Sequence, residues 1–337
     1  DNRLGKDNKL MRSLANKAKL NPKRVVFTEA DNYKILKAAQ VAKDDGIVKP
    51  ILLGNKEKIL ALLDEHQIDM GDTPIIDPWL QEEEVKRAEF GDMLWLKQQR
   101  KGLTQYDARK LMRDRNYFGA MMVEQGLADA MISGLTRKYG AAIKPALDII
   151  GIQEDVSRVA GLYMMITKRG PYFFADTTMN ADPTAQQLAD IAVLTANTVK
   201  QFNIIPRIAM LSYSNFGSAE GDVPKKMQEA TKILHKNYPG LVVDGDVQAN
   251  FAVNNELLKE QFPFSTLVDK NVNTFIFPNL ASGNMSYKIL QELGGAEAIG
   301  PVLMGLKKPV HVLQLGSSVR EIINMITIAV VDAQNKK

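Results

Sequence analysis

From Arg24 onward the chain alternates short apolar runs with amphipathic stretches, and this alternation restricts it to an α/β fold built on a parallel sheet. The expected strands are Arg24–Phe27, Ile47–Gly54, Ala128–Ile132, Val159–Ile166, Tyr172–Ala175, Ile208–Tyr213, Leu241–Gly245, Thr274–Phe277, Ile299–Met304 and Val310–Leu315. Apolar spacing predicts helices over Tyr33–Lys43, Lys56–His66, Gln81–Lys101, Gln105–Asp114, Tyr117–Gln125 and Tyr139–Ile150. Further helices are predicted from Asp182-Pro183 through Val199, and over Val223–Tyr238, Met285–Leu293 and Ser318–Asp332. The turn signal Lys168-Arg169-Gly170-Pro171 separates two strands of a second unit, and the expected boundary falls between Gly151 and Arg158. The last helix is expected to return to the first domain.

A chain of 337 residues accommodates one large or two medium domains of this kind. Apolar residues make up 45% and charged residues 24%, enough for a full core. The net charge of +4 is spread without a block of like charges, which argues against nucleic acid as a partner. With no cysteine, disulfides, thiolate zinc sites and thiol nucleophiles are excluded. The three histidines, His66, His235 and His311, are scattered, so no metal site is expected. No apolar stretch reaches 18 residues and no signal peptide is evident, so no membrane association and a cytoplasmic location are expected. The stretch Asp1–Asn21 is polar and basic, with a helical rhythm at Leu10, Leu14 and Leu20. It reads as a leader into a domain, and the start at Asp1 suggests a segment of a longer polypeptide.

In open α/β sheets ligands bind beyond the carboxyl ends of the strands. Three such corners are rich in donors. Ser133, Gly134, Arg137 and Lys138 precede a helix carrying Lys144; Ser214, Asn215, Gly217 and Ser218 precede another; Gln314, Leu315, Gly316, Ser317 and Ser318 precede the last. Backbone N–H groups at helix starts, with hydroxyls and glycines, suit an anion such as phosphate. No Walker A loop and no Gly-x-Gly-x-x-Gly follows a strand. Each corner also has a bland explanation in helix capping. Ser318 and Glu321 form a Ser-x-x-Glu capping box by themselves. Asp244, Asp246 and Asp269 read as turn formers rather than metal ligands. His311 reads as a packed side chain.

At these corners the chain resembles the phosphate acetyl/butyryltransferase family. The matching segments are Gly46–Asn55, Tyr117–Val123, Ala128–Gly134, Lys144–Leu147, Asn180–Asp190, Ala209–Ser214, Asp244-Gly245, Phe275–Tyr287 and Gly294–Gly305. The resemblance implies two α/β/α domains with mostly parallel sheets and an interdomain cleft, a phosphotransacetylase or isocitrate-dehydrogenase-like fold. The expected division is 1–153 plus 310–337 for domain I and 154–309 for a dimerising domain II. The family's last active-site segment runs Leu-x-Lys-Pro-Val, Ser-Arg-Gly and Ser-x-x-Asp. Here Gln314, Leu315 and Glu321 stand at its serine, arginine and aspartate positions. Leucine has neither charge nor donors to clamp phosphate. The resemblance further places Lys144 at a phosphate-clamping arginine, Arg137 at a histidine, and Gln98, with Arg100 nearby, at another arginine. Glu321 would be the base toward a CoA thiol.

Ser214-Asn215-Phe216-Gly217-Ser218 and the ending Val330–Gln334 resemble the C-terminal domain of large NAD(P)-dependent malic enzymes. That implies a regulatory, acetyl-CoA-binding, oligomerising domain without transacetylase activity. A malic-enzyme half would precede it, holding the NAD(P) and divalent metal, and no catalytic residue would be active in this chain. The expected ligand set is Ser133, Gly134, Arg137, Lys144, Ser214, Asn215, Ser218, Gly316, Ser317 and Ser318, with acetyl-CoA or CoA as ligand and a homo-oligomer, dimer or higher, as the assembly. Two alternatives stand beside it: a working phosphate acetyl/butyryltransferase, converting acetyl-CoA and phosphate to acetyl phosphate and CoA, and a purely structural dimerisation unit.

Overall fold

A computed structural model describes residues 8–336. They form two compact units, residues 8–153 with 306–336, and Glu154–Gly305. The first unit begins with α1 (Lys9–Leu20), β1 (Lys23–Phe27), α2 (Tyr33–Asp44), β2 (Val48–Leu53), α3 (Lys56–Glu65) and β3 (Ile75–Ile76). It continues with α4 (Glu84–Gln98), α5 (Gln105–Leu111), α6 (Arg115–Glu124), β4 (Ala130–Ser133) and α7 (Tyr139–Ile149). The second comprises β5 (Ala160–Thr167), β6 (Gly170–Ala175), α8 (Ala185–Gln201), β7 (Arg207–Leu211), α9 (Asp222–Asn237) and β8 (Val242–Val247). Then come α10 (Ala249–Val253), α11 (Asn255–Gln261), β9 (Thr274–Ile276), α12 (Leu280–Gly294) and β10 (Glu297–Met304), before β11 (Val310–Val312) and α13 (Val319–Asn335) close the first unit.

The first sheet has the order β11-β4-β1-β2-β3, with every pair parallel. Its strands are continuous apolar runs because both faces are covered. One covering element is α13, which packs on α2, β1 and β4 and is buried from Ile322 through Ala333. A helix apolar on every side has to lie inside a domain. Gln334 Nε2 donates to the carbonyls of Lys17, Ala18 and Asn21 at 2.9–3.1 Å, which ties its end to α1. Helix α1 buries Met11, Leu14, Ala15 and Ala18, whereas Leu20 is exposed. The buried stripe therefore runs through Met11 and two alanines instead of Leu10 and Leu20.

The second sheet has the order β10-β5-β6-β9-β7-β8. The pairs β10–β5 and β5–β6 are antiparallel, and the rest are parallel. The fold is thus α/β with mostly parallel sheets. Aromatic side chains fill one core: Phe174 meets Phe275 edge-on at 5.4 Å, and Tyr163 stacks on Tyr287 at 4.1 Å. The helix expected over Gln81–Lys101 is broken into a 3₁₀ turn, α4 and a second 3₁₀ turn that ends where Gly102 takes φ 86°. Helices α10 and α11 lie where no element was expected.

Candidate active site

Because β11, β4 and β1 are parallel neighbours, their carboxyl ends open on one edge of the first sheet. The segments leaving them, 28–32, 134–138 and 313–318, meet there. Gly134 has φ 91°, and a Cβ on it would come within 2.5 Å of Val312 Cγ1. Glycine is needed at this corner for backbone conformation and for close packing against β11. The hydroxyl of Ser133 is buried with no hydrogen-bond partner, a costly state for a polar group in a protein interior.

The neighbouring donors are engaged. The carboxylate of Glu29, two residues past β1, accepts from the backbone N–H of Leu135 at 2.7 Å and of Thr136 at 3.0 Å, and from the Thr136 hydroxyl. An anion already sits at this corner, as the geometry of its amides dictates, and it is a side chain of the chain itself. Arg137 pairs with Asp114 at 2.7 Å, and Lys144 with Asp148 at 2.5 Å, one helical turn along α7. Asp148 also accepts from the Tyr117 hydroxyl at 2.7 Å. Burial, and then the bond to Asp148, push the Tyr117 phenol up to about 12, while Asp148 raises the pKa of Lys144. These groups line a cavity of about 320 Å³ with Gln98, Lys101 and Gly102. Gln98 donates to the Asp148 carbonyl at 2.6 Å.

The turn after β11 is held by its own backbone. Ser317 donates from N–H and hydroxyl to the Gln314 carbonyl at 3.2 and 3.0 Å. Lys34, on α2, donates to the carbonyls of Gly316 and Ser317 at 3.3 and 3.2 Å. Ser318 and Glu321 make the full capping box, with the Glu321 carboxylate 2.7 Å from the Ser318 N–H. Glu321 is therefore committed to its helix. Leu315 is 63% exposed and offers nothing polar.

Ser214, Asn215 and Ser218 belong to the second unit. Ser214 accepts from the Ala219 N–H at 3.1 Å, and the Ser218 hydroxyl accepts from the Asn215 N–H at 2.9 Å. Asn215 Oδ1 caps Gln248 N at 2.8 Å, and Phe216 packs on Phe262 and Phe264 at 5.1 and 5.0 Å. Asp246 receives the Gly217 N–H at 3.2 Å through one oxygen, and its other oxygen is buried without a partner. Asp244 is spent on Ser265 and Thr266 at 2.8 and 2.9 Å. Among the described residues no three His, Asp or Glu side chains converge on a metal position. His311 is fully buried, 3.1 Å from Asp332.

Glu29, Lys34, Asp114, Tyr117 and Asp148 were not among the expected site residues. Two had a legible signal: Glu29 follows a strand by two residues, and Asp148 follows Lys144 by four on a helix. Asp114 and Lys34 arrive from elements distant in sequence, and only the tertiary fold brings them in.

The sequence pattern of the phosphate acetyl/butaryl transferase family matches residues 9–330. The phosphate acetyltransferase of Bacillus subtilis is 37% identical over 313 residues, covering 92% of this chain and 94% of that protein. The phosphate acetyltransferase of Helicobacter pylori is 37% identical over 324 residues, covering 96% of this chain but 62% of its own length. A phosphotransacetylase from Streptococcus pyogenes superposes with a TM-score of 0.89 at 39% identity, covering 97% of this chain and 98% of that one.

These matches overturn the expected malic-enzyme regulatory domain without transacetylase activity, and with it the oxidoreductase role, since the chain is aligned along nearly its whole length with phosphate acetyltransferases. The physical reason is local. The Asn215 and Phe216 positions that suggested malic enzymes serve a cap and an aromatic cluster inside their own unit, so they report packing. Sequence, fold and topology agree over more than nine-tenths of the chain, and it belongs to the phosphate acetyl/butyryltransferase family.

Proposed function

We propose that this chain transfers an acetyl group between the thiol of coenzyme A and inorganic phosphate. The observation that carries the reading is the identity of 34–37% to phosphate acetyltransferases across 92–96% of the chain. Relatives of that name imply acetyl-CoA and phosphate as substrates, and the first unit supplies groups suited to both.

A phosphate oxygen attacks the thioester carbonyl; a C–O bond forms, the C–S bond breaks, and the proton of hydrogen phosphate passes to the CoA sulfur. The hydroxyl of Ser133, unpartnered and buried, is the proposed donor to the oxygen on which charge develops. Arg137 and Lys144 are the proposed phosphate contacts, exchanging Asp114 and Asp148 for the incoming anion. Such an exchange replaces one charge-assisted pair with another, so its net cost is small next to burying an unpaired charge. Lys34 holds the Gly316-Ser317 turn and adds a third positive charge at this edge. Leu315 contributes no charge, so the phosphate is met by lysines and Arg137.

The test is the appearance of the thioester from acetyl phosphate and CoA with the purified chain. Turnover of at least about 1 s⁻¹ is expected. No thioester above the uncatalysed rate would overturn the reading.

A further inference from the structure

A second cationic region lies on the α4–α5 face of the first unit. There a cavity of about 280 Å³ is lined by Arg87, Tyr106, Arg109, Lys110 and Arg113, with Glu84 the one acid among them. The two helices pack closely because residue 91 is glycine: a Cβ there would lie 2.5 Å from the Arg109 Cα. The cavity is thus built on rigid elements. Arg109 is neutralised by a bidentate pair with Asp92, at 2.7 Å through both arms. Arg87 donates to the carbonyls of Pro78 and Leu80 at 2.5 and 2.6 Å, so it fixes the 78–80 turn while keeping its charge. Lys110 and Arg113 pair with no described acid.

Two large aromatic side chains stand in solvent beside these cations. Tyr106 is 76% exposed and Trp79 is 67% exposed. The turn that Arg87 fixes carries Trp79, and Arg113 lies over its ring, 5.5 Å from the centroid. Exposed rings of this size offer flat apolar faces on which a planar group can stack. Lys110 and Arg113 beside the exposed ring of Tyr106 combine the two needs of a nucleotide: cations for phosphate and a π-surface for the base.

We propose that this face is a binding site for a nucleoside polyphosphate. The phosphates lie against Lys110, Arg113 and Arg87, and the base stacks on Tyr106, the exposed ring that lines the cavity. The same chemistry is offered by a free nucleotide and by the nucleotide end of CoA. The site shares no residue with the Ser133 edge; the free-nucleotide arm is independent of the acetyl-transfer reading, and the CoA arm rests on it.

The test is calorimetric titration of the whole chain with ATP, tripolyphosphate, adenosine and CoA. ATP is expected to bind more tightly than either tripolyphosphate or adenosine. Arg113→Ala and Tyr106→Ala are each expected to weaken it by about tenfold. Lys110→Glu, at an exposed position, gives a variant whose fold is not at risk, checked by an unchanged circular dichroism spectrum. A loss confined to ATP identifies a free nucleotide as the ligand; a parallel loss for CoA identifies its nucleotide end. Tripolyphosphate binding as tightly as ATP would overturn the proposal, leaving a merely cationic surface. So would ATP affinity unchanged in Lys110→Glu, or no ATP binding at about 1 mM.

Discussion

Single atoms decide most of what the candidate site can do. The Ser133 hydroxyl is buried and unpartnered, so its removal should not harm the fold. Ser133→Ala is expected to leave the melting temperature unchanged or slightly higher, because an unsatisfied buried polar group costs about 1–3 kcal/mol. Acetyl transfer is expected to fall by about 10²–10³ if the hydroxyl meets the developing charge. Paired melting and turnover measurements check this; a loss of stability with rate intact would assign Ser133 to packing. Leu315 gives the opposite experiment. It is exposed beside the turn that Lys34 holds, so Leu315→Arg adds a forked donor without disturbing a core. The KM for phosphate should drop by about tenfold, worth ~1.4 kcal/mol, with stability unchanged. Steady-state kinetics at varied phosphate decide it. The identity of these positions was readable in the sequence, since Ser133 and Leu315 flank strand ends and Lys144 lies on the helix that follows one. Their engagement was not. That Glu29 fills the amides of 135 and 136, and that Asp114 neutralises Arg137, depends on pairs 106 and 23 residues apart.

Among the elements, α13 links the site to the core of the first unit. Its Ser318–Glu321 box satisfies two N–H groups at the helix start, and its far end carries Asp332 against His311 and Lys336, each at 3.1 Å. Ser318→Ala should destabilise the first unit by about 1 kcal/mol. Glu321→Gln keeps the box and should keep both stability and turnover. A large loss of rate in Glu321→Gln at unchanged stability would instead make this residue catalytic; thermal melts and the thioester assay separate the outcomes. At the other end, burial pushes the Asp332 carboxyl up, but Lys336 and His311 outweigh it, and its pKa lies below the usual carboxylate value. A depressed folded pKa stabilises the fold above the unfolded value of about 3.9 and loses that contribution as pH falls through the folded pKa. The stability advantage of the wild type over Asp332→Asn should therefore be complete near about pH 6 and shrink steadily in acid below about pH 4. Melting temperatures across that range test it, and a gap that stays constant would refute it. Elements of this kind were legible because α13 is apolar along its length and bracketed by a box. The antiparallel β10–β5–β6 pairing was not, because an apolar run does not reveal the direction of its neighbour. Helix α10 was hidden by its length of five residues, too short for a period to show, and α11 because its only apolar residues, Leu257 and Leu258, are adjacent and show no helical spacing.

For the molecule as a whole, the exposed apolar surface of the second unit bears on association. The second unit leaves one face of α12 uncovered. Ser286, Leu290 and Gly294 turn into a cavity of about 430 Å³ floored by Tyr172, Phe174, Phe275 and Phe277. The adjacent stripe, Met285, Ile289 and Leu293, faces solvent at 57%, 58% and 85% exposure. By contrast Ile299, Val302, Leu303 and Met304 of β10 are spent on their own core. Soluble monomers rarely leave apolar stripes of this size beside an apolar cavity, since each buried methylene is worth ~0.8 kcal/mol. A second copy of this chain would cover the stripe through an isologous contact, in which α12 meets α12. A stable pair needs about 1,200–2,000 Å² of total buried surface, which a 15-residue helix and the cavity rim on both sides can approach. The expected outcome is a mass near twice 37.4 kDa by light scattering at tens of micromolar, falling toward 37.4 kDa in Ile289→Asp. Since Ile289 is exposed, aspartate there leaves the isolated fold intact and carries its penalty only in the pair, where two carboxylates would be desolvated without partners. A wild type that stays at 37.4 kDa throughout the dilution series, or an Ile289→Asp variant that associates as well as the wild type, would remove α12 as the interface.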